Sequence, residues 1–310
     1  MVLCESVAGM RLKFGVVGMV ALAAAAACMA QTPAGDGWDK IKEARAITVG
    51  FRPDGLPFSY VTNDAKRPQG YAIDICRALI SKLQQSMGLA QLDVRYRAIN
   101  GQTRFTDLAN GSIDVDCSNT TNTKERRDTK QVAFSLPYYI AGIRILTQAN
   151  SAIQDADDLA RKRVMTTKGT TSLKVLNERE ARSGLKVQHT ECTTHDVCFA
   201  AVQNGTADAW LMDDILLAAY RAQAPKPEQF KIVGKLLSIE PLSLMMRNSD
   251  VRMKKVFDEE MRNMARNFEI ARLYKVWFES PLPGKGFNLN TPMSYLLGDM
   301  LRYPSDQFDN

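Results

Sequence analysis

Histidine is nearly absent: the chain of 310 residues has two, His189 and His195. So few imidazoles exclude a histidine-built metal centre, and the one suggestive spacing, Cys192, His195 and Cys198, lacks a fourth ligand and the usual separation. Also missing is any tract of like charge. The 40 basic and 34 acidic residues are interspersed, with a net charge of +6. Without a basic arm or face the chain does not read as a nucleic-acid binder, and its mild positive balance points to small anionic partners. Beyond the first 30 residues no apolar run approaches the roughly 20 residues of a spanning helix. Nothing in the composition calls for a cofactor.

What is present begins with a leader. "MRLKFGVVGMVALAAAAACMAQTPAG" sets Arg11 and Lys13 before an apolar run over 14–27, then small residues and a polar stretch. That is the pattern of a secretory signal peptide over residues 1–30, with Cys28 and Ala30 at the small positions before a cleavage at Gln31. The alternative is a lipid anchor at Cys28, against which Ala25 is a poor match for the aliphatic residue such a site prefers. Four later cysteines, Cys76, Cys117, Cys192 and Cys198, are candidates for two disulfides in an oxidising compartment, with three pairings open. Cys192 and Cys198 could close a short loop; Cys76 is either a buried small residue or the partner of Cys117.

At 45% hydrophobic content the chain can fill one large or two ordinary cores. Strand-like and helix-like segments alternate: "AITVGFR", "YAIDICRALISKLQQSM", "LDVRYRAI", "RFTDLANG" and "SIDVDC", then a second series from "GIRILTQ" to "LSLMMR". Two such series predict an α/β protein of two lobes on largely parallel sheets. Residues 251–278 carry apolar positions at helical spacing and predict one long amphipathic segment packed on a lobe.

Two polar loops occupy equivalent places in the two series. The strand "SIDVDC" runs into "SNTTNTKERR", and "RVMTT" runs into "KGTTS" at the start of a helix. Free N–H groups and threonine hydroxyls at a helix start suit a carboxylate. In open α/β sheets ligands collect at the carboxyl ends of strands, so one such loop per lobe predicts a ligand cleft between them.

The run "VGFRPDGLPFSY", "GYAIDIC", "CSNTTNTKERR", "VMTTKGTTS" and "AWLMDDILLA", in that order and spacing, resembles the periplasmic glutamate/aspartate-binding proteins of ABC importers, in the polar amino-acid group of solute-binding proteins. "GYAIDI" departs from the group's pattern at Ala72, where an acidic residue is usual. The resemblance implies a type II periplasmic-binding-protein fold, a ligand of L-glutamate or L-aspartate, an inner-membrane ABC permease as partner, a monomer, and a periplasmic location. It also implies a site. Arg52 and Arg104 would hold the ligand's side-chain carboxylate, with His195 closing that pocket from the other lobe. Arg126 would pair with the α-carboxylate, Thr167 and Thr170 would add donors, and Asn119, Thr121 and Asp213 would receive the α-ammonium. Gly101 and Asn119 stand where the family often carries serine; the hydroxyl lost at Gly101 is a donor that Gln102 or water would have to replace. Lys124 and Arg127 read as solvated charge.

The expected organisation is a leader over 1–30, a first lobe from 31–144 and 243–310, and a second lobe over 145–242, with chain crossings near 142–147 and 241–247. Closure would be favoured when a ligand bridges both lobes. The rival reading is an enzyme on the same fold, like the periplasmic cyclohexadienyl dehydratases. It would need an acid or base in the cleft beyond the anchors, and His195 and Asp213 are the only candidates.

Overall fold

The computed structural model describes residues 36–62 and 67–308; the proposed leader over 1–30 lies outside them. In chain order the first part holds α1 (Gly37–Ala44), β1 (Ala46–Phe51), β2 (Asp54–Gly55), β3 (Ser59–Tyr60), α2 (Tyr71–Ser86), β4 (Asp93–Ala98), α3 (Arg104–Ala109), β5 (Val115–Asp116), α4 (Lys124–Lys130) and β6 (Val132–Phe134). The middle holds β7 (Tyr139–Ala141), β8 (Ile143–Gln148), β9 (Arg163–Thr167), α5 (Ser172–Ser183), β10 (Gln188–Cys192), α6 (His195–Gln203), β11 (Ala209–Asp213), α7 (Asp214–Gln223), β12 (Phe230–Val233) and β13 (Glu240–Leu242). The last part adds β14 (Met245–Arg247), α8 (Val251–Arg266), α9 (Glu269–Phe278) and α10 (Tyr295–Arg302).

Two five-stranded sheets, β4-β1-β5-β14-β6 and β10-β9-β11-β8-β12, form the cores of two lobes. Each is mixed rather than largely parallel. β1 runs parallel to β4 and β5, but β14 returns antiparallel between β5 and β6. In the second sheet β9 is parallel to β10 and β11, while β8 is antiparallel to β11 and β12. The buried strands read as nearly continuous apolar runs, as in "AWLMD" of β11, where all five residues are buried.

The chain passes between the sheets twice, through β7 and β13, which pair antiparallel with Pro241 opposite Ile140. The first crossing, β7, sits a few residues before the expected 142–147 segment, since Thr147 is already buried inside β8, and the second, β13, overlaps the start of the expected 241–247 segment. The expected long helix over 251–278 is two helices. Phe268 adopts a left-handed conformation (φ 59°) that ends α8 and starts α9. Both helices pack on α2 of the first lobe. Tyr274 and Phe278 of α9 stack on Tyr139 of β7, tying the C-terminal helices to a crossing strand.

Two disulfides are formed. Cys76 in α2 joins Cys117, just past β5, across 41 residues, and Cys192 joins Cys198 across six. A cross-link over a longer loop removes more entropy from the unfolded chain. Replacing Cys76 and Cys117 together by alanine is therefore expected to lower the unfolding free energy by about 4 kcal/mol, against about 2 kcal/mol for Cys192 and Cys198. Urea unfolding of the two double variants measures that order.

Candidate functional site

Both polar loops reach the space between the lobes. Arg52 follows β1, Arg104 opens α3 and Arg126 lies in the first turn of α4, all from the first lobe. All three are buried, at 0%, 2% and 8% exposure. They line, with Asn119, Thr121, Thr170 and Asp213, a small cavity between the lobes. Thr171 and Met212 complete its lining.

Local structure explains how each arginine is aimed. Thr123 caps α4, its side chain accepting from the Arg126 N–H, and the guanidinium of Arg126 turns back to donate to the Thr121 carbonyl (2.7 Å). Arg104 donates from Nη1 to Thr120 Oγ1 (2.7 Å). Thr120 in turn donates to Asp116 Oδ2 (2.6 Å), while Ser118 donates to Asp116 Oδ1 (2.6 Å). Asp116 thus balances Arg104 through a hydroxyl rather than by contact. Arg52 gives Nε and Nη2 to Asp54, each at 2.9 Å.

Across the cleft, the Gly169 carbonyl accepts from Arg104 Nη2 (2.6 Å) and Arg126 Nη2 (3.3 Å). Gly169 has φ +73°, and Gly101 packs against its backbone. A Cβ placed at Gly101 would lie 2.3 Å from the Lys168 carbonyl oxygen. Gly101 is thus a point of clearance where two backbones meet, more than a position that has lost a donor. Gln102 is exposed and does not line the cavity.

Thr167 and His195 stand behind the cavity wall and not on it. Thr167 Oγ1 and His195 Nδ1 are 2.9 Å apart, and Thr170 donates its hydroxyl to the Thr167 carbonyl (2.7 Å). Both threonine hydroxyls are therefore committed within the second lobe. A hydroxyl of Thr167 donating to Nδ1 leaves the imidazole proton on Nε2. Burial, reinforced by Arg52, lowers the His195 pKa to about 3, so the ring is neutral at physiological pH. Of the two adjacent aspartates, Asp214 serves the helix, accepting from its N-terminal N–H of Ile215 (2.8 Å). Asp213 caps nothing with its side chain. Burial, then the charges of Glu240 and Asp214, pushes its carboxyl well above the usual range.

The unmet hydrogen-bonding capacity concentrates here. Among the described residues, eight buried side-chain atoms lack a partner, and five belong to Arg52, Arg104, Asn119, His195 and Asp213. Buried polar atoms are nearly always paired, so donors from arginine and acceptors from Asn119 and Asp213 facing one cavity describe a receptor for a zwitterion with extra negative charge. Arginine charge is also under-matched by the protein. Burial, then repulsion from Arg126, weighs against charge on Arg104, and Asp116 opposes this.

Sequence reasoning passed over Asp54, Thr171 and Glu240. Thr171 donates to Glu240 Oε2 (2.8 Å), and both sit beside Arg126 and Asp213. Arg127, read as solvated charge, instead bridges Asn122 Oδ1 and the Phe308 carbonyl, fastening the C-terminal segment to the binding loop. Lys124 is exposed, with Asp128 as its partner. Among the described residues no cluster could hold a metal ion.

Comparison with known proteins agrees with this geometry. Residues 47–280 match the model of the bacterial extracellular solute-binding proteins, family 3. The chain is 36% identical to an L-glutamate/L-aspartate-binding protein of Pseudomonas aeruginosa, over 86% of this chain and 88% of the relative. It is 34% identical to a glutamate/aspartate import solute-binding protein of Escherichia coli K12, over 88% and 90%. Among solved structures, an ancestral amino acid-binding protein described as a precursor of cyclohexadienyl dehydratase superposes with a TM-score of 0.65, at 27% identity, covering 78% of this chain and 99% of that one. The sequence relatives are transport-binding proteins, not enzymes. By fold, by sequence and by the polarity of its cleft, the chain belongs to the bacterial extracellular solute-binding proteins, family 3.

Proposed function

We propose that this protein binds L-glutamate or L-aspartate between its lobes and delivers it to an inner-membrane ABC permease, acting as a periplasmic monomer. The observation that carries the reading is the convergence of three buried arginines on a cavity whose far wall is Asp213. Two carboxylates and one ammonium need two cationic anchors and one anionic one, placed in that order. Arg126 is suited to the α-carboxylate and Asp213 to the α-ammonium. Arg52 and Arg104, with His195 behind them, serve the side-chain carboxylate. Asn119 Oδ1 and Thr121 complete the ammonium end. The names of the Pseudomonas and Escherichia relatives support the same ligand pair.

The direct test is calorimetry of the leader-free chain against the common amino acids. Submicromolar to micromolar binding of the two acidic ones is expected, and a flat response to both would overturn the reading.

Arg104→Ala leaves the side-chain carboxylate without its partner. Glutamate affinity is expected to fall at least about tenfold with an unchanged circular dichroism spectrum, and calorimetry on the variant decides.

The depressed His195 pKa sets two pH dependences. A ring already neutral contributes no titration to binding, so the pH profile of glutamate affinity from about pH 5.5 to 8 should have the same shape in His195→Gln as in the wild type. Stability behaves otherwise. Between the unfolded value of 6.5 and the folded value of about 3, the unfolded chain binds the extra proton. The His195 contribution is therefore complete above 6.5 and lost as pH falls towards 3. Urea midpoints at pH 7 and 4.5 should differ less in His195→Gln than in the wild type.

A further inference from the structure

Asp54 plays no part in the binding set that the resemblance implies, yet it sits at the side-chain end of the cleft. Two observations single it out. Its carboxylate occupies the Nε–Nη2 edge of Arg52, with both partners nearly inaccessible, at 0% and 9% side-chain exposure. The same carboxylate crosses the cleft, Oδ2 accepting the backbone N–H of His195 (3.0 Å) at the start of α6. The Tyr220 hydroxyl, which donates its one proton to Asp196 Oδ1 (2.8 Å), also lies 3.3 Å from the Asp54 carbonyl oxygen. A carboxylate built into the first lobe therefore holds the guanidinium that a ligand carboxylate would seek, and fastens it to the second lobe.

What Arg52 has left is Nη1, buried and without a partner, on a residue that lines the cavity. A side-chain carboxylate reaching that nitrogen meets a guanidinium whose charge is already offset by Asp54, and feels the repulsion of Asp54 in a dry setting where charges act strongly. A side-chain amide placed there forgoes less Coulomb attraction and escapes the repulsion, while its carbonyl oxygen still accepts from Nη1. Arg104, balanced only indirectly through Thr120, is then the main source of preference for the acid.

We propose that Asp54 is a specificity-determining residue that works through Arg52, narrowing the preference for acidic over amide side chains so that glutamine competes with glutamate for the same cleft. The proposal rests on the glutamate/aspartate reading above. Wild-type protein titrated with L-glutamate and L-glutamine comes first, and binding of neither removes that reading and this proposal together. Asp54→Asn deletes the charge and keeps the shape and an acceptor for the His195 N–H. The ratio of glutamine Kd to glutamate Kd is expected to rise about tenfold. In the Arg52→Gln background the same replacement should raise the ratio by a smaller factor, because the route through Arg52 is gone and only the direct repulsion of Asp54 is relieved. A role confined to fastening the lobes would weaken both ligands by one factor. A ratio within about twofold of wild type in Asp54→Asn, whatever the absolute affinities, therefore overturns the proposal. Asp54→Ser, which also deletes the charge, gives the same reading should the asparagine variant fold poorly.

Discussion

One carbonyl oxygen joins the two lobes at the buried arginines. Gly169 O, from the second lobe, accepts from Arg104 and Arg126 of the first, and it can do so only because Gly101 lets the two backbones touch. Buried guanidinium groups are costly unless matched, and the protein matches these in part. Asp54 takes one edge of Arg52, Asp116 supports Arg104 through Thr120, and the Thr121 carbonyl takes one nitrogen of Arg126. The remainder faces the cavity. Closure and ligand binding therefore draw on the same three side chains, which is how a small anion can shift the balance between open and closed lobes.

The arginine side and the Asp213 side of the cleft are built differently. The arginines come from a loop and two short helices of the first lobe and are held by side-chain hydrogen bonds. Asp213 sits at the end of β11, the central strand of the second sheet, and its position is fixed by the buried ladder with β8. Its carboxyl is pushed towards the neutral form by burial and by Glu240 and Asp214. A cation placed beside it would reverse that shift. The second lobe thus offers a rigidly held carboxyl whose ionised form a neighbouring cation favours.

Much of this was legible in the sequence, for identifiable reasons. Alternating β-branched residues marked β1, β4 and β9, and helical spacing marked α2, α5 and α7, because each pattern directly records which face is buried. Strand direction left no such trace: β8 and β14 look like any other apolar strand, and only their pairing makes the sheets mixed. The break at Phe268 was hidden because apolar positions continue through it at nearly helical spacing. The loops carrying Arg126 and Thr170 announced themselves by hydroxyl-rich composition beside a helix start. Asp54 did not, since two residues after Arg52 and next to Pro53 it reads as part of a turn. Gly101 was visible as a missing hydroxyl, whereas its role depends on Gly169, 68 positions away, and no local pattern records that.

The loop that faces the cavity is also stitched to a crossing strand. Thr121 bridges Leu242, the Asn122 N–H donates to the Pro241 carbonyl and the Ser243 N–H donates to that of Thr120. From the opposite side, Asn122 donates to the Asp306 carbonyl. The loop is thus one layer of a three-ply seam, with the interlobe passage on one side and the C-terminal segment on the other. A rotation of the lobes about that passage must shear this seam, so the fit around a ligand and the angle between the lobes are a single mechanical variable. The tail over 306–308 rests directly on the loop that lines the cavity, so a single layer of chain separates the cleft from the outer surface there.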